Sequence, residues 1–143
     1  MQIPDVNVLI YAFRPDTPEH ERFRVWLQLL AEGEEPFGLS ELVCSGFVRV
    51  VTYAKVWNQP TPIDIALDFV ETLRNRPNCI IISAGPRHWE IFSGLCRQLS
   101  LRGPTTADAY HAALAIESGS EWVTADRDFR RFPGLRWRHP LGR

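Results

Sequence analysis

Apolar positions along the 143-residue chain follow two rhythms in turn. Short runs at Ile3 to Asp5, Phe37 to Leu39, Cys79 to Ser83, Glu121 to Thr124 and Arg136 to His139 predict strands, the CIIIS run being the clearest because it is β-branched. Between them the spacing turns helical. His20 to Leu30 places Phe23, Trp26, Leu27 and Leu30 on one face, and Ile63 to Arg74 is amphipathic behind a Thr61-Pro62 cap. Val6 to Ala12 enters a helical turn, and Glu41 to Tyr53 reads as a mostly buried helix with Ser40 as its N-cap. Arg87 to Leu101 and Ala107 to Glu117 complete the set, the last capped by Thr105-Thr106. Gly, Pro and Ser clusters punctuate the elements: Arg14 to Pro18, Gly33 to Pro36, Asn58 to Pro62, Gly103-Pro104 and Ser118 to Ser120.

Strands alternating with helices imply parallel βα units. The expected architecture is a three-layer α/β/α sandwich around a central, mainly parallel sheet. With no linker, repeat or low-complexity stretch, residues 1–143 read as one domain.

Composition narrows function more than fold. A hydrophobic fraction of 45% and a charged fraction of 23% exclude disordered and fibrous classes. The net charge of -1 means that any nucleic-acid surface must be local. Lys55 is the single lysine, so the basic residues are almost all arginine, which suits bidentate phosphate contacts but also follows from a biased genome. Cys44, Cys79 and Cys96 form no C-x-x-C pair and read as free thiols of a reducing compartment. No leader-like segment or membrane-length apolar run is present, so a soluble, cytoplasmic protein is expected.

The informative polar residues are acids. Asp5 ends the first strand, Glu41 follows the second, Asp108 sits in the first turn of a helix, and Asp126 follows the strand ending at Thr124. In an open parallel sheet all four fall at the carboxyl edge, where ligand sites gather. Each has an ordinary explanation: Asp5 as a turn cap, Glu41 and Asp108 as helix-dipole charges, Asp126 and Asp128 as capping acids of a short turn. Together, however, they would repel unless cations lay among them. Hard oxygen donors without Cys or His partners select Mg2+ or Mn2+, and such a cluster suits phosphodiester hydrolysis.

The opening IPDVNVLIYA, the segment ADAYHAALA and the closing VTADRDFRRFPGL resemble PIN-domain proteins. Length and spacing further resemble the VapC-like ribonuclease toxins of type II toxin–antitoxin modules, in order over essentially the whole chain. The resemblance implies a PIN fold and magnesium-dependent endoribonuclease activity on structured RNA such as tRNA or rRNA. It implies inhibition by a cognate antitoxin, a homodimer, and a heterotetramer or larger assembly of toxin with antitoxin. By position, Asp5 and Asp108 would be the principal metal ligands. Asp126 would hold a second metal or orient water, with Asp128 nearby, and Asn7 and Thr124 would orient the carboxylates.

One departure stands out. In many PIN proteins a glutamate lies about a turn and a half into the helix after the second strand; here that place falls at Gly46, and the nearest acid is Glu41. These two do not share a helix face. Either Glu41 reaches the metals from the helix start, which is the expectation, or the site lacks its usual glutamate.

Arg127, Arg130, Arg131, Arg136 and Arg138 follow the Asp126 turn. They would contact RNA phosphates or antitoxin acids, or else form a solvated face. His111, one turn past Asp108, is expected to be an ordinary surface or supporting histidine. Trp26, Leu27, Leu30, Trp57, Trp89 and Phe92 are mostly expected in the core, with some of them forming the apolar groove or dimer face that the resemblance implies. Two other functions compete: a phosphatase or phosphoacceptor, which needs a lysine beside a strand-end Asp and is disfavoured because the only lysine, Lys55, is predicted just past a helix end, and a catalytically degenerate PIN module serving protein interaction.

Overall fold

The computed structural model describes all 143 residues. Five strands, β1 (Gln2–Pro4), β2 (Phe37–Ser40), β3 (Cys79–Ile82), β4 (Glu121–Val123) and β5 (Trp137–Arg138), form one sheet in the order β3-β2-β1-β4-β5. Every neighbouring pair is parallel, so the sheet is wholly rather than mainly parallel. Six helices connect the strands: α1 (Val6–Phe13), α2 (His20–Glu32), α3 (Glu41–Val51), α4 (Ile63–Arg74), α5 (His88–Leu99) and α6 (Thr105–Glu117). None is long and apolar enough to cross a membrane.

The chain leaves β1 toward β2 and β3, then returns to β4 on the other side of β1 and moves on to β5. With right-handed crossovers, this reversal sends α1 to α4 to one face and α5 and α6 to the other. Packing agrees: α1 lies on α2 and α3, α3 on α4, and α5 on α6. The reversal also makes the β1/β4 boundary the topological switch point, where a crevice opens at the carboxyl ends of the strands.

Helical spacing explains what each helix buries. Phe23, Leu27 and Ala31 on α2, and Val43, Phe47 and Val51 on α3, recur every four residues and are all buried. Phe13, Phe47 and Phe69 meet with ring centroids 4.8–5.4 Å apart and tie α1, α3 and α4 together. On α6 the small residues Ala109, Ala112, Ala113 and Ala115 are fully buried, so this helix approaches its neighbours closely. Gly38 has a similar role in β2, where a Cβ would come within 2.9 Å of both Ile3 Cγ1 and Ile82 Cγ1.

Two expected caps are built differently. Pro62 and Pro104 are the N-cap residues of α4 and α6, and neither helix start has a side-chain cap. Thr61 Oγ1 instead accepts from Arg14 Nη1 at 3.1 Å, because the buried Arg14, stacked 3.9 Å over the Trp57 ring, needs that acceptor. Thr105 and Thr106 are already helical, and their hydroxyls bond back to the carbonyls of Arg102 and Gly103. Of the aromatic side chains Trp26, Trp57, Trp89 and Phe92, Trp89 is the outward one, 70% exposed on α5 with its ring 5.4 Å from that of Phe92.

Candidate active site

Asp5 terminates β1 and starts α1. Its backbone is extended, and its Oδ1 accepts from Val6 N–H at 2.6 Å, so it is the N-cap of α1. The β1–β4 register pairs Pro4 with Val123, which puts Thr124 beside Asp5 at the next position. There the Thr124 hydroxyl donates to Asp5 Oδ2 at 2.6 Å. The same oxygen, Oγ1, accepts from Asp126 N–H at 3.0 Å and from Asn7 Nδ2 at 3.2 Å. Asn7 also donates to Asp5 Oδ2 at 3.3 Å, and its Oδ1 accepts from Ala125 N–H at 3.1 Å. A closed network thus ties the end of β1 to the end of β4 across the switch point.

Asp126 begins the short 3₁₀ turn Arg127–Arg131 and accepts from Asp128 N–H at 2.9 Å. Asp108 reaches the same region from the first turn of α6, whose N-terminus lies at the carboxyl edge of the sheet because the helix runs back to the start of β4. Arg131 Nη2 donates to Asp108 Oδ2 at 2.8 Å.

The electrostatics follow from this gathering. Burial, above all, pushes the Asp5 carboxyl from its ordinary 3.8 up to about 6; the bonds from Thr124 and Val6 pull it back, and the charges of Asp108 and Asp126 add to the rise. Asp108 is also raised, chiefly by burial, with Asp126 and Asp128 adding repulsion and Arg131 opposing them. Two carboxyls raised in this way, with the Asp126 charge adding to both, are a donor set suited in kind to a hard divalent cation. In placement the set is open: no three His, Cys, Asp or Glu side chains are arranged to hold a metal ion. Asp108 is engaged by Arg131, and Asp5 by Thr124 and Asn7.

Glu41 does not join the group. Ser40 caps α3 through a 3.0 Å bond from Val43 N–H, which makes Glu41 the first helical residue. Its side chain is 67% exposed and pairs with Arg74 of α4 at 3.5 Å. Gly46 faces α1, where a Cβ would lie 3.1 Å from Val6 Cγ2. A longer side chain there would have to displace Val6, the neighbour of Asp5.

The arginine run divides. Arg131 turns to Asp108, and Arg127 and Arg130 are exposed on the same 3₁₀ turn. Arg136 instead donates to Gly119 O at 2.5 Å, and Arg138 pairs with Glu121 at 3.3 Å, near the start of β4. His111 is half-buried and supports the core: its ring stacks on the buried Trp122 with centroids 5.1 Å apart, and desolvation pushes it down to about 4. Lys55 is exposed in the turn after α3. A surface groove of about 620 Å³ lies at the opposite edge of the sheet and is lined by Met1, Trp26 and Arg136 but by none of these acids. What sequence reasoning missed is the Arg131–Asp108 contact, since no spacing rule relates a helix start to a turn 23 residues later.

A model of the PIN domain matches residues 3–135. Ribonuclease VapC43 of Mycobacterium tuberculosis is 44% identical over 137 residues, covering 96% of this chain and 93% of that protein. Ribonuclease VapC33 of the same species is 38% identical over 141 residues, covering 99% of each. Among solved structures, VapBC2 from Rickettsia felis, bound to a DNA fragment from its promoter, superimposes with a TM-score of 0.71 at 19% identity, covering 96% of this chain and 97% of that one. VapC20 of M. tuberculosis, a toxin that cleaves the sarcin–ricin loop, superimposes with a TM-score of 0.61 at 14% identity, covering 95% and 99%. At such identities these two report the shared fold.

Proposed function

The chain belongs to the PIN-domain family, among its VapC ribonucleases, and on that premise we propose that it is a metal-dependent endoribonuclease and the toxin of a type II toxin–antitoxin pair. The observation that carries the reading is the acid group at the β1/β4 switch point: Asp5, locked to Thr124, in electrostatic contact with Asp108 and Asp126. The ribonuclease names of the relatives support the reaction class. The toxin–antitoxin complexes that share the fold support a cognate antitoxin as partner, in an oligomeric assembly. We assign structured RNA, tRNA or rRNA, as the substrate.

Asp5, Asp108 and Asp126 would hold Mg2+ or Mn2+. When bound, that ion supplies an acidified water to attack a phosphodiester and positive charge to offset the phosphate. The chain's own groups prepare the site. Thr124 and Val6 N–H fix the Asp5 carboxylate by short bonds and favour its ionised form, while Asn7 fixes Thr124 and Ala125 in turn. Asp126 is aimed by the Thr124 oxygen that accepts its N–H. Arg127 and Arg130, exposed on the same turn, would meet RNA phosphates beside the acids.

The test is cleavage of purified tRNA and rRNA with Mg2+ or Mn2+, by wild type and by Asp5→Asn and Asp108→Asn variants of unchanged circular dichroism. Wild type should cut, addition of EDTA should stop it, and both variants should be inactive. Cleavage by the variants at the wild-type rate would refute the assignment. The outward Glu41 and the glycine at 46 favour a second reading, a PIN module kept for protein interaction alone. That reading requires a wild type that binds no Mn2+ and cuts no RNA.

A further inference from the structure

Arg131 does more than line an RNA path. Its Nη2 holds Asp108 Oδ2 at 2.8 Å, and both side chains are only about one-third exposed, at 31% and 33%. Its Nε is buried without a hydrogen-bond partner. The guanidinium carbon lies 4.9 Å from the centroid of the Phe132 ring, whose residue is buried. A guanidinium with one donor satisfied by Asp108 and another shut away unsatisfied sits there for the carboxylate, not for its own bonding. The turn that carries it is opened by Asp126, so the acid and the cation are fixed on one short element.

We propose that Arg131 is an internal counter-ion that competes with the divalent cation for Asp108, so that metal loading requires the Arg131–Asp108 ion pair to open. The inference rests on the reading of Asp108 as a metal ligand. Its physical basis is that one carboxylate oxygen cannot keep a charge-assisted bond to a guanidinium and donate fully to a metal. Without Arg131 the three acids would face one another with no positive charge in direct contact. With it, the metal-free site is neutralised in part and the affinity for the ion is lowered. The third-exposed position lets the guanidinium swing out on a long side chain without unfolding the turn.

Calorimetric titration of the full chain with Mn2+ tests this, comparing wild type with Arg131→Gln and Arg131→Lys. Removing the charge should tighten Mn2+ binding by about fivefold, the change expected for loss of a partly exposed ion pair. The lysine variant keeps a competing charge and should stay near wild type. Should wild type and Arg131→Gln bind Mn2+ equally, or the variant more weakly, the competition is refuted while the nuclease reading survives. Should neither bind, both fall. A second readout needs no stable variant: the Arg131 Nε–H resonance, followed by NMR in wild type during Mg2+ titration, should shift as the pair opens. No shift at saturating Mg2+ would overturn the proposal.

Discussion

The hydroxyl of Thr124 donates to Oδ2 of Asp5 at 2.6 Å, a contact between residues 119 positions apart. It exists because β1 and β4 are neighbours in register and each strand ends one residue before the bond. Asp5 is only 7% exposed and Thr124 is fully buried, so the bond is shielded from water and the hydroxyl is a constituent of the site.

Thr124→Val tests that relationship. The replacement keeps the shape and removes an oxygen that serves Asp5, Asn7 and Asp126 together. Metal affinity and RNA cleavage should each fall by roughly 10–100-fold, as for other groups that orient a metal ligand. Stability should fall by about 1–3 kcal/mol through the unpaired polar groups left behind. Thr124→Ser should keep most of both. Calorimetry, cleavage rates and urea unfolding measure the three quantities.

The buried Asp5 and the half-buried His111 make opposite demands on pH in metal-free buffer. Asp5 is raised from 3.8 to about 6, so its contribution to stability is fully present below about 3.8 and is lost as pH rises through 6, a swing of about 3 kcal/mol. His111 is lowered from 6.5 to about 4, so its contribution is present above 6.5 and is lost as pH falls through 4, again by about 3 kcal/mol. The two slopes therefore oppose each other between about pH 4 and 6. Urea unfolding across this window should show His111→Gln gaining on wild type as pH falls and Asp5→Asn losing to it. Parallel profiles for all three proteins would contradict the burial argument.

Glu41 offers a sharp contrast with the aspartates. Its carboxylate is exposed and paired with Arg74, and an exposed pair of this kind contributes about 0–1 kcal/mol. Glu41→Gln should thus change stability by less than about 1 kcal/mol. It should leave Mn2+ affinity near wild type and RNA cleavage intact, while Asp5→Asn abolishes both. A Glu41→Gln protein that folds but no longer cuts would show that the helix start swings inward during the reaction.

By itself the sequence determined the alternation of strands and helices, because apolar periods of two and 3.6 are local properties read within a dozen residues. Its motifs also located Asp5, Asp108 and Asp126 at strand ends or helix starts, and therefore at one edge of a parallel sheet. The fully parallel pairing and the β1/β4 switch point depended on which strands lie side by side, a long-range matter invisible to local spacing. The same holds for the fate of individual side chains. Glu41 and Asp126 both follow strands, yet one pairs with Arg74 in solvent while the other belongs to the Thr124 network. Arg131 stands in an arginine run that reads as an RNA or antitoxin contact or else as a solvated face, yet it reaches Asp108 on another element. Only the tertiary structure could decide these cases, because the free energy of a charged side chain is set by the dielectric and the partners around it, which packing alone brings together.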